Sequence, residues 1–488
     1  MPTPTEALLD KLCQKSFFRM WSYLSPYNSR RDKPSSGQGK EICDLLVVFD
    51  RDVFVFSDKS VGWNDDSELE VAWSRWRRGA IEKSLRQLDG AFSHLIRNPE
   101  DVFLDKGLTR RLPVRIPPYE NGNYHLILVA HGAGKACSAN FQCSRGSLVV
   151  HTGLSCDDQE PFVVGEYTPK GRFVHVFDEA TVGLMLGELD TIADFRDYIC
   201  AKEAFVRNGG ELIYCGEEDL LAFYLGNRNP VREGASALAA LGGHLKEGQV
   251  ESALQIEEGA WDHHIATGDW ARTRDMVSGS YAWDRLIERF VHHSLTDSQF
   301  WPAKHGVRGT ERNVRQLSRE SRFGRRHIVS ICSQALAAGS QRPWRLWCVQ
   351  SPANHGLLYV FLSLNYEGRM TYEEFRRWRL HVLSVALVVM SQSQTQFDEY
   401  LGISMAGTSS AEFSEDIMLL DESLVTAEVL DQVREFQDET GFGSLMAPSK
   451  VDPLRGSKLR AFREPVGNER NQICHCGSGK KWKKCCAR

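Results

Sequence analysis

The chain has 488 residues, which is more than one hydrophobic core usually serves, so we expect two large domains and a small additional module. Apolar residues make up 42% and charged residues 25% of the sequence, as in ordinary globular proteins. No stretch approaches the roughly 18 uninterrupted apolar residues of a membrane-spanning helix, so the sequence excludes a membrane-spanning protein.

The N-terminal residues and the cysteines both indicate a cytoplasmic protein. Glu6, Asp10 and Lys11 lie where a secretory signal would need its apolar core, so we expect no export signal. Nine of the 13 cysteines are scattered singly among apolar residues, a pattern typical of small buried side chains in an intracellular protein. The other four cysteines lie close together at the C-terminus and need a separate explanation.

The C-terminal tail is basic, whereas the rest of the chain is acidic. Residues 454–488 contain ten Lys or Arg and two Glu, a net charge of +8, which leaves −13 for the remainder of the formal charge of −5. This asymmetry suggests an anionic partner for the tail, such as nucleic acid or an acidic protein surface. Alternatively, the basic residues offset the charge of a metal site and increase solubility.

The N-terminal region is predicted to contain a helix, a hairpin and a second helix. Apolar positions recur at helical spacing over 5–24, with Thr5 as a candidate cap, and the polar segment 25–40 indicates a loop. The apolar runs DLLVVF and VFVFSDK then predict a buried β-hairpin. Apolar residues three and four apart over 68–97 predict a long amphipathic helix that ends before Asn98.

Strands and helices alternate through the remainder of the chain. Strands are predicted at YHLILVAHGAG, SLVVHTG, PFVVGEYT and RFVHVFD, followed by helical sequence over 179–206. Most segments from about 206 to 345 have helical patterns, and the strands RLWCVQS and GLLYVFLSLN precede a further helix that starts at YEEFRRW. The sequence therefore predicts a mixed α/β protein with one domain over 1–205, a helix-rich α/β domain of unknown role over 206–455, and a linker over 456–472.

The last residues contain a cysteine pattern typical of a structural zinc site. In ICHCGSGKKWKKCCAR, eight residues separate the pair Cys474 and Cys476 from the pair Cys485 and Cys486. Four thiolates at about 2.3 Å can surround Zn²⁺ as a tetrahedron, and a segment this short has no other means of forming a core. His475 is an alternative ligand, but with four cysteines present we expect it to stay outside the coordination sphere.

This segment resembles the SEC-C zinc motif at the C-terminus of the preprotein translocase ATPase. The resemblance covers residues 473–488 alone, and His475 stands where the motif usually has proline. It implies a small zinc module that docks on a chaperone partner or the ribosome, rather than a catalytic site.

The N-terminal order of helix, acidic hairpin and long helix resembles the PD-(D/E)xK nucleases, which include restriction enzymes, archaeal resolvases and NERD-type domains. In that fold a carboxylate opens one strand, and an acid and a lysine two residues apart lie on the neighbouring strand, where they bind Mg²⁺ and a phosphate group. The resemblance implies a restriction-endonuclease-like fold for 1–205. It also implies Asp44 as a metal ligand, Lys59 as the cation, Glu6 as an added ligand and Gln87 as an orienting polar group.

The nuclease-like pattern is incomplete two residues before the lysine. Strand alternation places Ser57, rather than an acid, on the face of Lys59, and it turns Asp58 to the opposite face. Either a β-bulge rotates Asp58 inward as the second metal ligand, or the metal site is incomplete. Without a nuclease site, Asp44 and Lys59 would simply mark the ends of a buried hairpin.

Two further segments have weaker functional patterns. The sequence HGAG that begins at His131 is similar to an oxyanion loop, but no Gly-x-Ser-x-Gly segment accompanies it, so we expect core or loop roles for His125 and His131. Basic residues interspersed with Trp73 and Trp76 could follow a phosphate backbone, although an ordinary solvated helix face is the simpler interpretation.

Two functions are compatible with these patterns. The first is a metal-dependent protein that cleaves or binds nucleic acid, in which Asp44 and Asp58 hold Mg²⁺ and Lys59 stabilises the phosphate; by analogy it suits a prokaryotic genome-defence role. The second is a non-enzymatic adaptor with a decayed nuclease fold, which docks on a protein or a ribosome through its zinc tail. Ser57 is the residue that favours the second function.

Overall fold

The structure is a computed structural model. It describes residues 2–31, 38–142, 145–154, 160–168, 171–227, 253–300, 307–337, 344–407 and 414–440.

The chain forms two compact units. Unit one comprises Met1–Asn229, Glu233–Trp270 and Ser280–Val329, and unit two comprises Pro230–Arg232, Ala271–Gly279 and Ser330–Arg488. The predicted domain boundary at residue 205 lies inside a helix of unit one, Ile192–Arg207. The predicted domain bounds therefore stay a prediction.

The helices are numbered in chain order. They are α1 Pro4–Phe17, α2 Leu69–Arg77, α3 Lys83–Arg97, α4 Gly134–Phe141, α5 Val182–Glu188, α6 Ile192–Arg207, α7 Glu217–Asn227, α8 Ala260–Ala266, α9 Asp269–Val277, α10 Tyr281–Leu295, α11 Val307–Ser318, α12 Arg322–Ala337, α13 Tyr372–Ser393 and α14 Ala427–Thr440.

The strands are numbered in the same way. They are β1 Ser22–Leu24, β2 Tyr27–Arg31, β3 Gly39–Glu41, β4 Leu45–Phe49, β5 Asp52–Ser60, β6 Asn123–His131, β7 Val149–His151, β8 Val163–Val164, β9 Val174–Asp178, β10 Glu211–Tyr214, β11 Ala253–Ile256, β12 Trp344–Gln350, β13 Leu357–Leu364, β14 Glu399–Ala406 and β15 Glu415–Leu419.

The central sheet of unit one has the strand order β1-β4-β5-β6-β9. Strand β4 is antiparallel to both β1 and β5, whereas β5, β6 and β9 are parallel to one another. The predicted hairpin is therefore confirmed as β4 and β5. Every residue of β4 is buried, which is expected of an apolar run in a sheet that helices cover on both faces.

Helices pack on both faces of this sheet. On one face, Phe54 of β5 stacks on Phe17 of α1 with ring centroids 6.0 Å apart, and its centroid lies 5.5 Å from that of Phe195 in α6. Alternation along β5 directs Ser57 to the opposite face, where it contacts Gln87 of α3. The amphipathic sequence over 68–97 thus supplies the helix that covers the second face.

The long helix is formed as predicted, with one local irregularity. Helices α2 and α3 are joined by a π-helical turn at Arg78–Glu82, and α3 ends at Arg97. Trp73 and Trp76 are buried, so neither indole is available to stack on a nucleic-acid base. The solvated-face interpretation of this segment is therefore the better one.

A second sheet of unit one has the order β11-β10-β7-β8, and β2 pairs with β3 as a separate antiparallel ribbon. Glu217 at the start of α7 is buried beside this sheet. Its carboxylate accepts hydrogen bonds from Lys202 Nζ at 2.8 Å, Tyr198 OH at 2.6 Å and Tyr214 OH at 2.7 Å. A buried charge satisfied by so many donors holds α6, β10 and α7 together.

Unit two contains a sheet with the order β12-β13-β14-β15. Strands β13 and β14 are parallel and are connected by the long helix α13, while β12 and β15 are antiparallel edge strands. Leu358, Val360 and Leu362 of β13 pack with the apolar face of α13 to form the core of this unit. The strands predicted at RLWCVQS and GLLYVFLSLN and the helix that follows them are confirmed.

The N-terminal helix is shorter than predicted. It is capped by Thr3 rather than Thr5 and ends at Phe17, because Phe18 has a φ of 59° and the chain then turns into β1. The polar segment 25–40 contributes β2 and the start of β3 rather than a loop alone. In the part of the chain that the structure describes, no helix is long and apolar enough to cross a membrane.

Candidate functional site

Asp44 lies immediately before β4, at the end of the hairpin where β5 finishes. Its backbone is fixed on both sides, because its N–H donates to Phe56 O at 3.1 Å and its carbonyl accepts from Ser25 N at 2.9 Å. The side chain of Asp44 is only 4% exposed. A buried carboxylate needs donors or a cation, so its partners decide what the site can do.

The carboxylate of Asp44 accepts hydrogen bonds on both oxygens. Oδ2 accepts from Asp58 N at 2.6 Å and from Lys59 Nζ at 3.3 Å, and Oδ1 accepts from Gln87 Nε2 at 3.1 Å. The structure therefore brings together three residues that the sequence placed in one site, although β4, β5 and α3 supply them separately. We call Asp44, Ser57, Lys59 and Gln87 the Asp44 cluster.

Gln87 links the carboxylate to Ser57. Ser57 Oγ donates to Gln87 Oε1 at 3.2 Å, and the amide nitrogen of Gln87 faces Asp44. This orientation is required, because an ionised carboxylate can only accept hydrogen bonds. The side chain of Lys59 is 31% exposed, so the cluster meets solvent through the lysine.

The carboxylate of Asp58 does not join the Asp44 cluster. Its Oδ1 lies 3.3 Å from His131 Nε2 on β6. The pairing of β5 with β4 is regular up to Phe56, and its pairing with β6 is regular through Asp58 to Ser60. No bulge rotates Asp58 inward, so strand alternation keeps its side chain on the opposite face from Lys59. The predicted pairing of Asp44 and Asp58 as joint metal ligands is therefore not formed.

Glu6 is also engaged elsewhere. It forms a capping box at the start of α1, in which Glu6 Oε2 accepts from Thr3 N at 2.9 Å and Glu6 N donates to Thr3 Oγ1 at 3.2 Å. The negative charge of Glu6 nevertheless contributes to raising the pKa of Glu41, which lies at the end of β3. Glu41 was not identified as a candidate residue from the sequence.

Glu41 is a further acid near the cluster. Partial burial, together with the negative charges of Asp44 and Glu6, raises the pKa of Glu41, while a hydrogen bond with Ser25 and the charge of Lys59 act in the opposite direction. Its proximity depends on β2 and β3 folding back beside the hairpin. Sequence spacing does not predict that Glu41 lies near the Asp44 cluster.

The donor set of the Asp44 cluster does not suit Mg²⁺. That ion binds oxygen ligands at about 2.1 Å in an octahedral arrangement and usually uses one or two carboxylates. Here Asp44 is the one carboxylate within the cluster, its oxygens face Lys59 and Gln87, and Ser57 replaces the second acid. Among the described residues, no group of three or more His, Cys, Asp or Glu side chains is arranged to hold a metal ion.

The glycine loop that begins after His131 binds an internal anion. The N–H groups of Gly132 and Gly134 donate to the carboxylate of Glu179 at 2.5 and 3.0 Å. A Cβ at Gly134 would lie 2.4 Å from Glu179 Oε1, so the loop fits this carboxylate closely. Its amides stabilise Glu179, which favours the loop role over an oxyanion site.

His125 has a core role within unit one. Its Nδ1 lies 2.8 Å from Glu203 Oε1, and His175 Nε2 lies 3.0 Å from the same oxygen. The ion pair with Glu203 and the contacts with Asp52 and Cys200 hold the pKa of His125 well above its usual value despite the opposing effect of burial. This buried ion pair stabilises the packing of α6 against the sheet.

The four predicted zinc ligands lie outside the described residues. Cys474, Cys476, Cys485 and Cys486 belong to the segment beyond Thr440, so the geometry of the tail stays a prediction.

Comparison with known families identifies one segment of the chain. Residues 470–488 match the SEC-C motif, which agrees with the resemblance predicted from the cysteine pattern. No curated protein and no solved structure matches the chain. The chain is therefore a mixed α/β protein that carries a SEC-C motif at its C-terminus.

Proposed function

We propose that this protein is a non-enzymatic docking protein in which a nuclease-like unit no longer cleaves and the SEC-C tail makes the contact with a partner. The observation that carries this proposal is that Lys59, Gln87 and Asp58 N donate hydrogen bonds to both oxygens of Asp44, with Ser57 where cleavage would need a second acid. A single carboxylate already neutralised by a lysine has little affinity for a divalent cation.

The nuclease-like framework is supported by the order and placement of elements in unit one. Helix α1, the hairpin of β4 and β5, and the long helix of α2 and α3 follow one another as in the PD-(D/E)xK arrangement. Asp44 lies just before one strand of the hairpin and Lys59 lies near the end of the other, and Gln87 of α3 contacts Asp44 and Ser57. These features support a restriction-endonuclease-like origin for the N-terminal region.

The tail is proposed to hold one structural Zn²⁺ through Cys474, Cys476, Cys485 and Cys486. Four thiolates match the ligand preference of zinc, and SEC-C motifs are commonly associated with this ion. Residues 454–488 carry a net charge of +8, so the partner surface should be anionic. A ribosome, whose RNA is strongly anionic, has the required chemistry.

Metal-dependent cleavage of nucleic acid is the second candidate, and Glu41 is the observation that favours it. This acid interacts electrostatically with Asp44, Glu6 and Lys59, so a rearrangement could supply the carboxylate that Ser57 lacks. A genome-defence role would belong to this alternative.

A cleavage assay separates the two candidates. Purified full-length protein is incubated with plasmid, single-stranded DNA and RNA in Mg²⁺ or Mn²⁺, beside Lys59→Ala and Asp44→Asn variants. If the protein is a docking protein, the wild type should cleave no more nucleic acid than the two variants do. Metal-dependent cleavage by the wild type that both substitutions abolish would establish the enzyme instead.

Cosedimentation with purified ribosomes tests the proposed contact. We expect the full-length protein to sediment with ribosomes at low salt and to be released at high salt, because ionic contacts to phosphate are salt-sensitive. The combined changes Lys480→Gln, Lys481→Gln, Lys483→Gln and Lys484→Gln should abolish this binding.

The matched control for this experiment removes the same number of charges from the exposed surface of unit one. It carries Lys11→Gln, Lys15→Gln, Lys106→Gln and Lys135→Gln. Equal loss of binding in the control and the tail variant would contradict a specific role for the tail, and an absence of binding by the wild type would exclude the ribosome as the partner.

A further inference from the structure

The Asp44 cluster is charge-balanced without a metal ion. Asp44 contributes one negative charge, and Lys59 contributes one positive charge at 3.3 Å from Oδ2. A divalent cation entering here would meet a lysine that is already in place and would gain a single carboxylate. Like charges at such separations oppose each other strongly in a partly buried site.

The hydrogen bonds of the cluster also engage both oxygens that a metal would bind. Gln87 Nε2 donates to Oδ1 of Asp44 at 3.1 Å, while Lys59 Nζ and Asp58 N donate to Oδ2. A cation bound to either oxygen would compete with a donor for a carboxylate that is 4% exposed. Displacing it would leave the amide of Gln87 without its acceptor, which has a cost of its own.

The residue at position 57 affects both the charge balance and the hydrogen bonds of the cluster. Ser57 lies on the same face of β5 as Lys59, and its hydroxyl holds the amide oxygen of Gln87 at 3.2 Å. The serine therefore orients Gln87 so that its nitrogen points at Asp44. A carboxylate at position 57 would repel that amide oxygen and would add a second negative charge beside Asp44.

We propose that Lys59 and Gln87 take the place of a divalent cation at Asp44, and that the hydroxyl of Ser57 is what holds the site in this metal-free arrangement. The inference rests on the proposed nuclease-like origin of unit one and adds the residue that determines metal binding. The hydrogen bonds and the ion pair of the cluster then join the start of β4 to β5 and α3.

Binding of Mn²⁺, followed by electron paramagnetic resonance of the free ion, tests this inference on the full-length protein. The variants are Ser57→Asp, its uncharged counterpart Ser57→Asn, and each of them combined with Asp44→Asn to identify the binding that depends on Asp44. We expect Ser57→Asp to bind Mn²⁺ at least tenfold more tightly than the wild type. Ser57→Asn should behave like the wild type, because its amide can donate to Gln87 in place of the hydroxyl and adds no charge.

Two outcomes would overturn the inference. One is Asp44-dependent binding of Mn²⁺ by the wild type that is as tight as that of Ser57→Asp. The other is equally weak binding by the wild type and by a folded Ser57→Asp variant. If circular dichroism shows that Ser57→Asp is unfolded, Gln87→Glu places a carboxylate against Asp44 from α3 instead, and the same tenfold gain is expected of it.

Failure of this inference is distinguishable from failure of the proposed function. A wild type that binds Mn²⁺ through Asp44 as tightly as Ser57→Asp does, but cleaves no nucleic acid, overturns the inference and leaves the docking role intact. A wild type that cleaves nucleic acid overturns the docking role directly.

Discussion

At the scale of single residues, Glu218 shows how burial sets the chemistry of a carboxyl group in unit one. It is 4% exposed at the first turn of α7, where Oε1 accepts a hydrogen bond from Ser147 Oγ at 2.7 Å. Oε2 has no hydrogen-bond partner among the described residues. Burial, reinforced by the charges of Asp178 and Asp219, raises the pKa of Glu218 to about 7.

The raised pKa predicts a dependence of stability on pH. The folded chain retains the proton of Glu218 up to about pH 7, whereas the unfolded chain releases it near the ordinary value of 4.5. The contribution of Glu218 to stability is therefore complete below pH 4.5 and is lost as the pH rises through 7. The variant Glu218→Gln cannot ionise and should lack this loss.

Urea unfolding at pH 5 and pH 8 measures the effect. Between pH 5 and pH 8 we expect the wild type to lose on the order of 2 kcal/mol more unfolding free energy than Glu218→Gln does. The exposed Glu100→Gln serves as the control and should show no such difference from the wild type. An unchanged difference between Glu218→Gln and the wild type at the two pH values would contradict the assignment.

The Asp44 cluster shows how far sequence reasoning reaches at this scale. The resemblance to PD-(D/E)xK nucleases placed Asp44, Lys59 and Gln87 in one site, and the structure brings them together. Strand alternation turned Asp58 away unless a bulge intervened, because strand geometry fixes which side chains share a face. The bridge from Ser57 through Gln87 could not be predicted, since it depends on the exact height of α3 above β5. Glu41 was missed because β3 reaches the site through non-local pairing.

At the scale of elements, long apolar or amphipathic segments were predicted well. The hairpin, the long helix over 68–97, and strands β6 to β9 all follow from local pattern. The short strands β10 and β11 and the strands β14 and β15 were not predicted. Their extended state depends on pairing with strands distant in the sequence, such as β13 with β14, rather than on their own residues.

The predicted helix over 5–24 is formed but ends early, at Phe17, for a related reason. Its apolar spacing continues past Phe17, but Ser22–Leu24 forms a strand that pairs with β4 instead of extending the helix. Tertiary pairing here outweighs helical periodicity.

At the scale of the whole molecule, long-range ion pairs connect segments of unit one that are distant in the sequence. Arg322 donates to Asp190 at 2.9 Å, and the buried Arg325 donates to Asp284 at 2.7 Å. These pairs connect α10 and the start of α12 to the rest of unit one, although both follow the predicted division by about 75 residues or more. Charged helical sequence gives no local sign of such partners.

We propose metal binding by the SEC-C tail and none by the Asp44 cluster. Native mass spectrometry of the full-length protein after exposure to Mn²⁺ measures both assignments together. We expect one zinc and no manganese per chain, with the zinc lost when Cys474→Ser and Cys485→Ser are combined. A chain without zinc, or one that carries manganese removed by Asp44→Asn, would contradict the account.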